Sequence, residues 1–272
     1  MSKRVNWPIT TLIALGSLVI LFPLYIAVTI AFKSPAETAE SVLSLPKTLH
    51  FENFTNAIEA TNFFHAFGNS MYITVITVIF TLLTNSMVAY AIARNLDKKF
   101  FKGLYYYFVS ALFIPFPIIM LPIVKQTAAF GMDNPNGLIF LYIVYGIAFN
   151  IFLYVGYIRS IPRELEEAAI VDGCSTWGVF WKVIFPLLAP MNATVAILTC
   201  LWAWNDFILP LVLLNDESQM TLPLVQYVFQ SEFGTDYNLA FASYLLALSP
   251  MVIVYIIAQK WIISGVTRGA VK

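Results

Sequence analysis

The residues whose types and spacing best suit a chemical role lie between positions 164 and 190, in the stretch ELEEAAIVDGCSTWGVFWKVIFPLLAP. This stretch is polar at its start and lies between two long apolar runs. Its carboxylates, Glu164, Glu166 and Glu167, offer negative charge to another macromolecule. The alternative is an ordinary solvated loop whose acidic face keeps it in water. The segment is therefore a candidate contact surface.

Backbone signals predict how these carboxylates are positioned. Pro162 suits the first turn of a helix, and acidic residues just after it favour the positive end of the helix dipole. Gly173 can end that helix with a left-handed residue, and Ser175 can cap a second helix over 176–185. The pattern predicts a short helix, a sharp bend and a second helix that re-enters an apolar environment.

Composition places the chain in a membrane. Charged residues are 11% and apolar residues 60% of the sequence. At about 1.5 Å per residue, roughly 20 apolar residues cross a bilayer, so each long charge-free run predicts one transmembrane helix. A soluble helical protein is excluded because such runs leave no polar face. The first run exceeds the apolar core of a cleaved signal peptide and predicts a retained helix. The six runs are 5–32, 66–93, 103–124, 134–158, 183–205 and 237–259.

The distribution of lysine and arginine predicts the orientation of these helices. With a cytoplasmic N-terminus, twelve basic residues fall on the cytoplasmic side and three on the other, so both termini and the loop 159–190 are predicted to be cytoplasmic. The predicted regions are an N-terminus with the first helix (1–32), an external loop with one or two helical turns (33–65), a core of five helices (66–260) and a cytoplasmic tail (261–272). The three external basic residues are Lys33, Lys47 and Lys125.

The chain lacks the residues of a self-powered pump or an enzyme. No Gly-Lys pair is present, so there is no phosphate-binding P-loop. Ion coupling would leave ionisable residues inside the helices, whereas the charge-free runs contain none and Asp206 lies only at the outer end of the fifth. The cysteines and histidines predict neither a metal site nor a disulfide. If the protein moves a solute uphill, a separate ATPase is the favoured source of energy.

The contact segment resembles the EAA loop of ABC importer permeases: Glu167-Ala168-Ala169, then Gly173, Val183 and Phe185-Pro186 at the family's spacing. Nearly the whole chain is similar to MalG-like permeases of carbohydrate ABC importers. Further matching segments are WNDFILP at 204–210, TLP at 221–223, FGTDYN at 233–238 and the ending 259–272. Val183 and Phe185 replace the commoner Ile and Leu, and Cys174 stands where Ala is frequent.

This resemblance implies a type I permease fold and assigns roles to residues. The ATPase-coupling residues are Glu164, Glu166, Glu167, Ala168, Ala169, Asp172, Gly173 and Pro186. The tail residues Gly265, Arg268, Gly269 and Lys272 reach between the nucleotide-binding domains, and the two glycines are expected to end the sixth helix.

Polar and proline residues inside the apolar runs are candidates for the translocation pathway. Pro115, Pro117 and Pro122 predict a kink or an unwound segment in the third helix. The asparagines face either a cavity or a neighbouring helix, and the tryptophans Trp202 and Trp204 either stack on sugar rings or anchor at the membrane interface. The pathway candidates are Asn85, Pro115, Pro117, Asn150, Trp204, Asn205 and Asp206.

The resemblance also implies an assembly in the plasma membrane of a prokaryote. The partners are a second homologous permease, two cytoplasmic ATPases that use ATP and Mg²⁺, an extracytoplasmic solute-binding protein, membrane lipids and a sugar, without nucleic acid. The chain itself is expected to be a non-enzymatic transport subunit that binds no cofactor. The alternatives are a related permease for a polyol, glycerol phosphate or another small solute, and an ion-coupled carrier or channel.

Overall fold

All the regular secondary structure of the described residues is helical. This computed structural model describes residues 6–227, 229 and 236–270, with side chains as far as 257 and at 259 in the last stretch. The helices are α1 (Trp7–Ala31), α2 (Pro35–Glu40), α3 (Glu52–Ala60), α4 (Phe63–Arg94), α5 (Lys99–Ser110), α6 (Phe116–Ala129), α7 (Pro135–Ile158), α8 (Glu164–Val171), α9 (Thr176–Val179), α10 (Phe185–Leu187), α11 (Ala189–Asn205), α12 (Ile208–Leu213), α13 (Leu222–Val225) and α14 (Tyr237–Ala270). Short 3₁₀ segments cover Ala111–Phe113 and Glu217–Gln219, and a π-helical segment covers Phe180–Ile184.

Among the described residues, four helices are long and apolar enough to cross a membrane without a break. They are α1, α4, α7 and the part of α14 from Tyr237 to Ile257. Two further apolar segments are bent: Lys99–Phe113 with Phe116–Ala129 by 105°, and Thr176–Leu187 with Ala189–Asn205 by 74°. The predicted runs 103–124 and 183–205 are therefore bent, as a broken span or a re-entrant loop is, and the described helices provide four crossings, or six if each bent pair is one span.

The chain divides into two compact units. The first comprises Met1–Ala66 and Leu224–Val252. Its predicted external loop contains α2, which begins with a reciprocal cap between Ser34 and Glu37, and α3. The Asn238 amide donates to the carbonyl oxygens of Ile30 and Lys33, both at 2.8 Å, and so ties the end of α1 to the start of α14.

Helix α7 is central to the second unit, Phe67–Pro223 with Ile253–Lys272. It runs parallel to α4, because Tyr72 donates to Asn136 near the start of both helices and Arg94 donates to the carbonyl of Ile161 beyond their ends. It runs antiparallel to α11. The hydroxyl of Tyr154 on α7 donates a hydrogen bond to Asn192 Oδ1 on α11 (2.7 Å). These helices enclose a largely aliphatic core. Its fully buried members include Ile73, Ile92, Leu138, Ile151, Ile158, Ile184 and Leu188.

The end of the last helix differs from the prediction. Gly265 and Gly269 were expected to break it, but α14 continues through both to Ala270. A glycine costs about 1 kcal/mol relative to alanine inside a helix, and two such costs do not stop the propagation of an established helix.

Candidate functional site

The predicted contact segment begins with helix α8, and Glu164, Glu166 and Glu167 all occupy its first turn. Free backbone N–H groups at a helix start attract negative charge, which explains why these acidic residues begin a helix here. Glu166 and Ala169 are the buried residues of α8. The side chains of the helix therefore divide into an inward and an outward face.

A left-handed turn follows α8, as the sequence predicted. Gly173 has φ +86°, a region that favours glycine because a Cβ would clash with the backbone. The N–H of Gly173 donates to Ile170 O and that of Cys174 donates to Ala169 O, both at 2.9 Å. These bonds satisfy the last carbonyls of α8. The bend is thus a defined structure rather than a flexible joint.

The second helix of the segment begins as predicted but is not a simple α-helix. The Ser175 side chain accepts a hydrogen bond from the Gly178 N–H at 3.2 Å and caps α9. The predicted helix over 176–185 then widens into the π segment Phe180–Ile184 before α10. Pro186 has no N–H to donate to the carbonyl four residues earlier, which accounts for the irregular turn before it.

Glu166 lies in a buried ionic cluster, in contrast to its predicted place on a contact surface. Its Oε1 accepts from Arg94 Nε (2.6 Å) and its Oε2 accepts from the Tyr90 hydroxyl (2.7 Å). The side chains of Arg94 and Glu166 are both only 11% exposed. Arg163 adds a bond to the Arg94 carbonyl oxygen (3.2 Å). The cluster therefore anchors α8 to the end of α4, and Ala169 packs inward beside it.

Sequence reasoning missed Arg94 and Tyr90, because an ion pair between distant segments leaves no local pattern. Arg94 appeared only as one of the basic residues that set orientation. The available signal was a charge at the end of a long apolar helix, which needs a partner when it is buried.

The outward face of α8 combines acidic and apolar side chains. Glu164, Glu167, Ala168 and Asp172 are exposed, as expected of contact residues. The apolar Ile170 and Val171 are 59% and 86% exposed beside them, and the prediction did not include either. An apolar group at this exposure outside the membrane-spanning helices is typical of a surface that is covered by a partner.

A cavity of about 570 Å³ lies next to this face. Its lining comes from the end of α4 and from the segment before α8, and includes Asp97, Arg159 and Glu164. Its mixed charge suits a polar contact. The cavity extends the outward surface of α8 toward α4.

Asn85 lies within α4 and Asn150 lies within α7, and both are buried, at 0% and 3% exposure. The amide nitrogen of each has no hydrogen-bond partner among the described residues. On α4, the hydroxyls of Thr74, Thr77 and Thr81 are likewise buried and unpartnered. The apolar span thus contains a row of polar groups that the sequence suggested only at Asn85.

The predicted group at the end of the fifth helix separates into three environments. Trp204 is 2% exposed and its ring packs edge-on against the ring of Phe67, with centroids 5.8 Å apart, so the structure buries this predicted pathway residue in the core. Asn205 is exposed and donates to Leu201 O (2.7 Å). Asp206 accepts a hydrogen bond from the Tyr142 hydroxyl at 2.9 Å and joins α11 to α7. The polar Asn205 and Asp206 that follow Trp204 in the sequence did not indicate this burial, because the direction of a side chain is set by helix packing.

Pro115 and Pro117 lie at the break in the third predicted span. Pro115 is extended (ψ 132°) immediately before α6, and Pro117 lies in the first turn of that helix. The 105° bend occurs here.

Three of the predicted tail residues, Gly265, Arg268 and Gly269, lie in α14. The structure describes only the backbone of Arg268, and Lys272 lies outside the described residues.

Known proteins resemble this chain over nearly its full length. The model of the family of binding-protein-dependent transport system inner membrane components matches residues 85–268. The chain is 41% identical to the multiple sugar-binding transport system permease protein MsmG of Streptococcus mutans, over 96% of this chain and 95% of that protein. It is 37% identical to the probable starch degradation products transport system permease protein AmyC of Thermoanaerobacterium thermosulfurigenes, over 94% and 93%.

The fold is likewise shared with a solved structure. A chain of a bacterial ABC transporter involved in the import of alginate superposes with a TM-score of 0.81 at 24% identity, over 96% of this chain and 98% of that one. The sequence matches, the broken apolar spans and the helix–bend–helix segment agree with one another: the chain belongs to the family of inner membrane components of binding-protein-dependent transport systems.

Proposed function

We propose that this chain is a permease subunit of an ABC importer for a carbohydrate, in which it forms part of the translocation pathway. Membership in the family supports the transport role and removes the ion-coupled carrier from consideration. The printed names of the relatives, which refer to multiple sugars, starch degradation products, and melibiose, raffinose and stachyose, support a sugar or oligosaccharide as the substrate.

The observation that carries the proposal is the two-faced helix α8. Its inner face is held by the buried Arg94–Glu166 pair, and its outer face presents Glu167, Ile170 and Val171. A helix that is anchored on one side and uncovered on the other suits the transfer of force from a partner to the membrane helices. We assign the exposed face as the docking site of a cytoplasmic ATPase, with Glu167 meeting a basic residue there.

The remaining partners follow from the same assignment. A second, related permease completes the pathway, two ATPase subunits bind ATP and Mg²⁺ beneath it, and an extracytoplasmic binding protein delivers the solute. The binding-protein dependence of the family supports the last of these. We assign both termini and α8 to the cytoplasmic side of a prokaryotic plasma membrane, an assignment that the distribution of basic residues supports. The end of α14 then extends toward the ATPases.

Co-purification tests the coupling assignment. The tagged wild-type chain, expressed with the rest of its transport system, is expected to retain a cytoplasmic ATPase. Glu167→Lys reverses an exposed charge and is expected to lose that ATPase while remaining in the membrane. Glu59→Lys, on the exposed side of α3, is the matched control and is expected to retain it. Equal ATPase recovery from all three chains would contradict docking through α8.

Uptake of labelled solutes by a deletion strain tests the substrate class. Complementation with the wild-type gene is expected to restore uptake of a sugar or oligosaccharide. Restoration of polyol or glycerol phosphate uptake alone would replace the carbohydrate assignment and leave the permease assignment intact.

A further inference from the structure

A cavity of about 300 Å³ lies between the antiparallel helices α7 and α11. Two tyrosine contacts flank it. Tyr142 donates to Asp206 (2.9 Å) on one side, and Tyr154 donates to Asn192 (2.7 Å) on the other. These contacts are separated by about 18 Å along α7, at about 1.5 Å per residue. The helices are therefore joined above and below the cavity and separate between. The main lining residues are Tyr145, Phe149, Asn150, Leu198, Thr199 and Trp202.

The floor of the cavity is polar and its rim is apolar. Asn150 and Thr199 are 3% and 6% exposed, whereas Phe149 and Trp202 are 43% and 41% exposed. The deep polar groups are thus reached between two aromatic side chains. Apolar walls with a few convergent polar groups are typical of small-molecule sites, which begin at about 300 Å³.

Two polar atoms in this cavity have no hydrogen-bond partner in the part of the chain that the structure describes. They are the amide nitrogen of Asn150 and the hydroxyl of Tyr145. The Asn150 amide lies over Gly146, where a Cβ would approach its nitrogen to 3.1 Å. The absence of a side chain at Gly146 therefore leaves room for the amide at the cavity wall.

Lipid is an unsuitable occupant of such a cavity. An amide donor that meets hydrocarbon loses its hydrogen bonds at a cost of several kcal/mol, so polar groups within a membrane face a cavity or another polar group. A ring with hydroxyl groups at its edge and C–H groups on its faces satisfies both parts of this lining. The hydroxyls pair with the floor, and the C–H faces contact the aromatic rim.

We infer that this cavity is a carbohydrate-binding subsite of the translocation pathway, sized for one sugar unit. Asn150 and Tyr145 bind ring hydroxyls, and Trp202 and Phe149 contact the ring faces. The inference rests on the proposed function, because it assumes that the chain carries a sugar. It adds Tyr145, Phe149 and Thr199 to the residues that meet the substrate, and of the two roles considered for Trp202 it selects stacking on a sugar ring.

Ring contacts connect the subsite to the proline break before α6 and to Asp206 at the end of α11. The ring of Phe116, which directly follows Pro115, packs edge-on against Tyr145 at 5.6 Å. The ring of Trp202 packs edge-on against Tyr142 at 4.9 Å, and Tyr142 bonds Asp206. A displacement at the proline break would therefore reach the subsite through Phe116, and one at Asp206 would reach it through Tyr142 and Trp202.

Cysteine protection tests occupancy directly. The free cysteines are first replaced (Cys174→Ala, Cys200→Ala), and Leu198→Cys is introduced at the rim. In the purified transporter without binding protein, N-ethylmaleimide is expected to label this cysteine, and the transported sugar is expected to slow labelling at least about fivefold. A sugar that cells do not import is expected to have no effect. Phe140→Cys, on α7 outside the cavity, is the control and is expected to show no protection.

Failure of labelling at Leu198→Cys in the assembled transporter would overturn the inference, because a partner side chain or lipid would then fill the cavity. Unaltered labelling in saturating transported sugar would also overturn it. Either result leaves the proposed function standing if the wild type imports sugar. Absence of sugar import by the wild type would instead refute the proposed function.

Substitutions inside the cavity supply a second test. Asn150→Leu removes an unpartnered amide and is expected to preserve folding while the sugar concentration for half-maximal protection of Leu198→Cys rises about tenfold. Trp202→Leu is expected to have a similar effect, whereas Trp202→Phe retains an aromatic face and is expected to stay within about threefold. Equal protection in Asn150→Leu and the unsubstituted background would show that the amide serves packing alone.

Discussion

At the residue scale, the neighbouring carboxylates Glu166 and Glu167 illustrate how helix geometry separates two roles. Successive residues of a helix point about 100° apart, since one turn holds about 3.6 residues. Glu166 therefore faces Arg94 and Tyr90, while Glu167 faces outward. The first holds α8 in place, and we assign the second to contact with the ATPase. Substitution of Glu166 and substitution of Glu167 are therefore expected to have different consequences, although the side chains are identical.

Replacement of Glu166 tests the anchoring role. Glu166→Ala leaves the Arg94 charge buried without its partner, which is expected to lower the free energy of unfolding by about 3 kcal/mol. The double variant Arg94→Leu/Glu166→Leu removes both charges and is expected to recover most of that loss in thermal denaturation of the detergent-solubilised protein. Glu167→Ala, the exposed control, is expected to change stability by less than about 0.5 kcal/mol. A double variant as unstable as the single one would contradict the paired arrangement.

Gly173 permits a second test at this scale. Its φ of +86° is costly for a β-branched residue, so Gly173→Val is expected to abolish transport while the protein remains in the membrane. Gly173→Asn is the matched control, because asparagine tolerates left-handed conformations, and it is expected to retain most activity. Comparable uptake by the valine variant and the wild type would show that the bend is dispensable.

At the element scale, α4 has a polar centre on its buried side. Ser70, Thr74, Thr77, Thr81 and Asn85 recur at helical spacing, and each is at most 3% exposed. Small polar residues let transmembrane helices approach closely, but hydroxyls without partners are a cost in that environment. Neighbouring threonines differ in this respect, since the hydroxyl of Thr84 donates to Phe80 O at 2.8 Å.

Replacement of the threonines measures this cost. Thr77→Val and Thr81→Val retain the branched shape and remove an unpartnered hydroxyl, so each is expected to raise the free energy of unfolding by about 1 kcal/mol. Thr84→Val removes a hydroxyl that is already bonded and is expected to give no gain. Thermal denaturation of purified variants is the measurement. Destabilisation by the first two substitutions would indicate partners, such as bound water, that offset the burial of these groups.

Helix α14 supports a prediction about the tail. Because the helix continues to Ala270, removal of residues 267–272 deletes its last turn rather than a separate segment. If this end meets the ATPases, the truncated transporter is expected to lose at least half of its coupled ATP hydrolysis without a change in membrane insertion. Removal of 271–272 alone, which retains the helix as far as Ala270, is the matched control. Wild-type ATPase rates after the longer deletion would make the tail dispensable.

At the scale of the whole molecule, the distribution of charge predicts the orientation in the membrane. Twelve of the fifteen basic residues lie on the side assigned to the cytoplasm, together with both termini and α8. Net charge is zero, so the asymmetry is visible only when the residues are placed on the helices. The two bent spans keep this alternation only if each pair crosses the membrane once.

Reporter fusions test the orientation and the bent spans together. Fusions after Asn95, Arg163 and Lys272 are expected to be active only as cytoplasmic reporters. Fusions at Thr48, Asn134 and Ser218 are expected to be active only as external reporters. A cytoplasmic signal at Asn134 would show that the pair α5–α6 returns to the side on which it began, and one at Ser218 would show the same for the pair that ends with α11.

Several features were determined by local sequence alone. Long charge-free runs predicted the membrane helices, because hydrocarbon accepts no unpaired backbone or charge over that length. Glutamates after a proline, a glycine and a serine predicted the two helices and the bend at 164–178, since caps depend on neighbouring residues. The proline cluster predicted the break before α6. The caps and the break depend on residues within about one helical turn, and the membrane helices depend on the composition of one continuous segment.

Other features were decided only by tertiary structure, because they depend on residues far apart in the chain. Glu166 finds Arg94 and Tyr90 across about 70 residues, so no pattern within α8 distinguishes it from Glu167. Trp204 is buried against Phe67, and the side chain direction that buries it is a property of helix packing. The subsite between α7 and α11 exists because Tyr142 and Tyr154 join those helices on either side of Asn150. Sequence determined which segments enter the membrane, whereas packing between segments decided which polar groups are buried, exposed or able to meet a ligand.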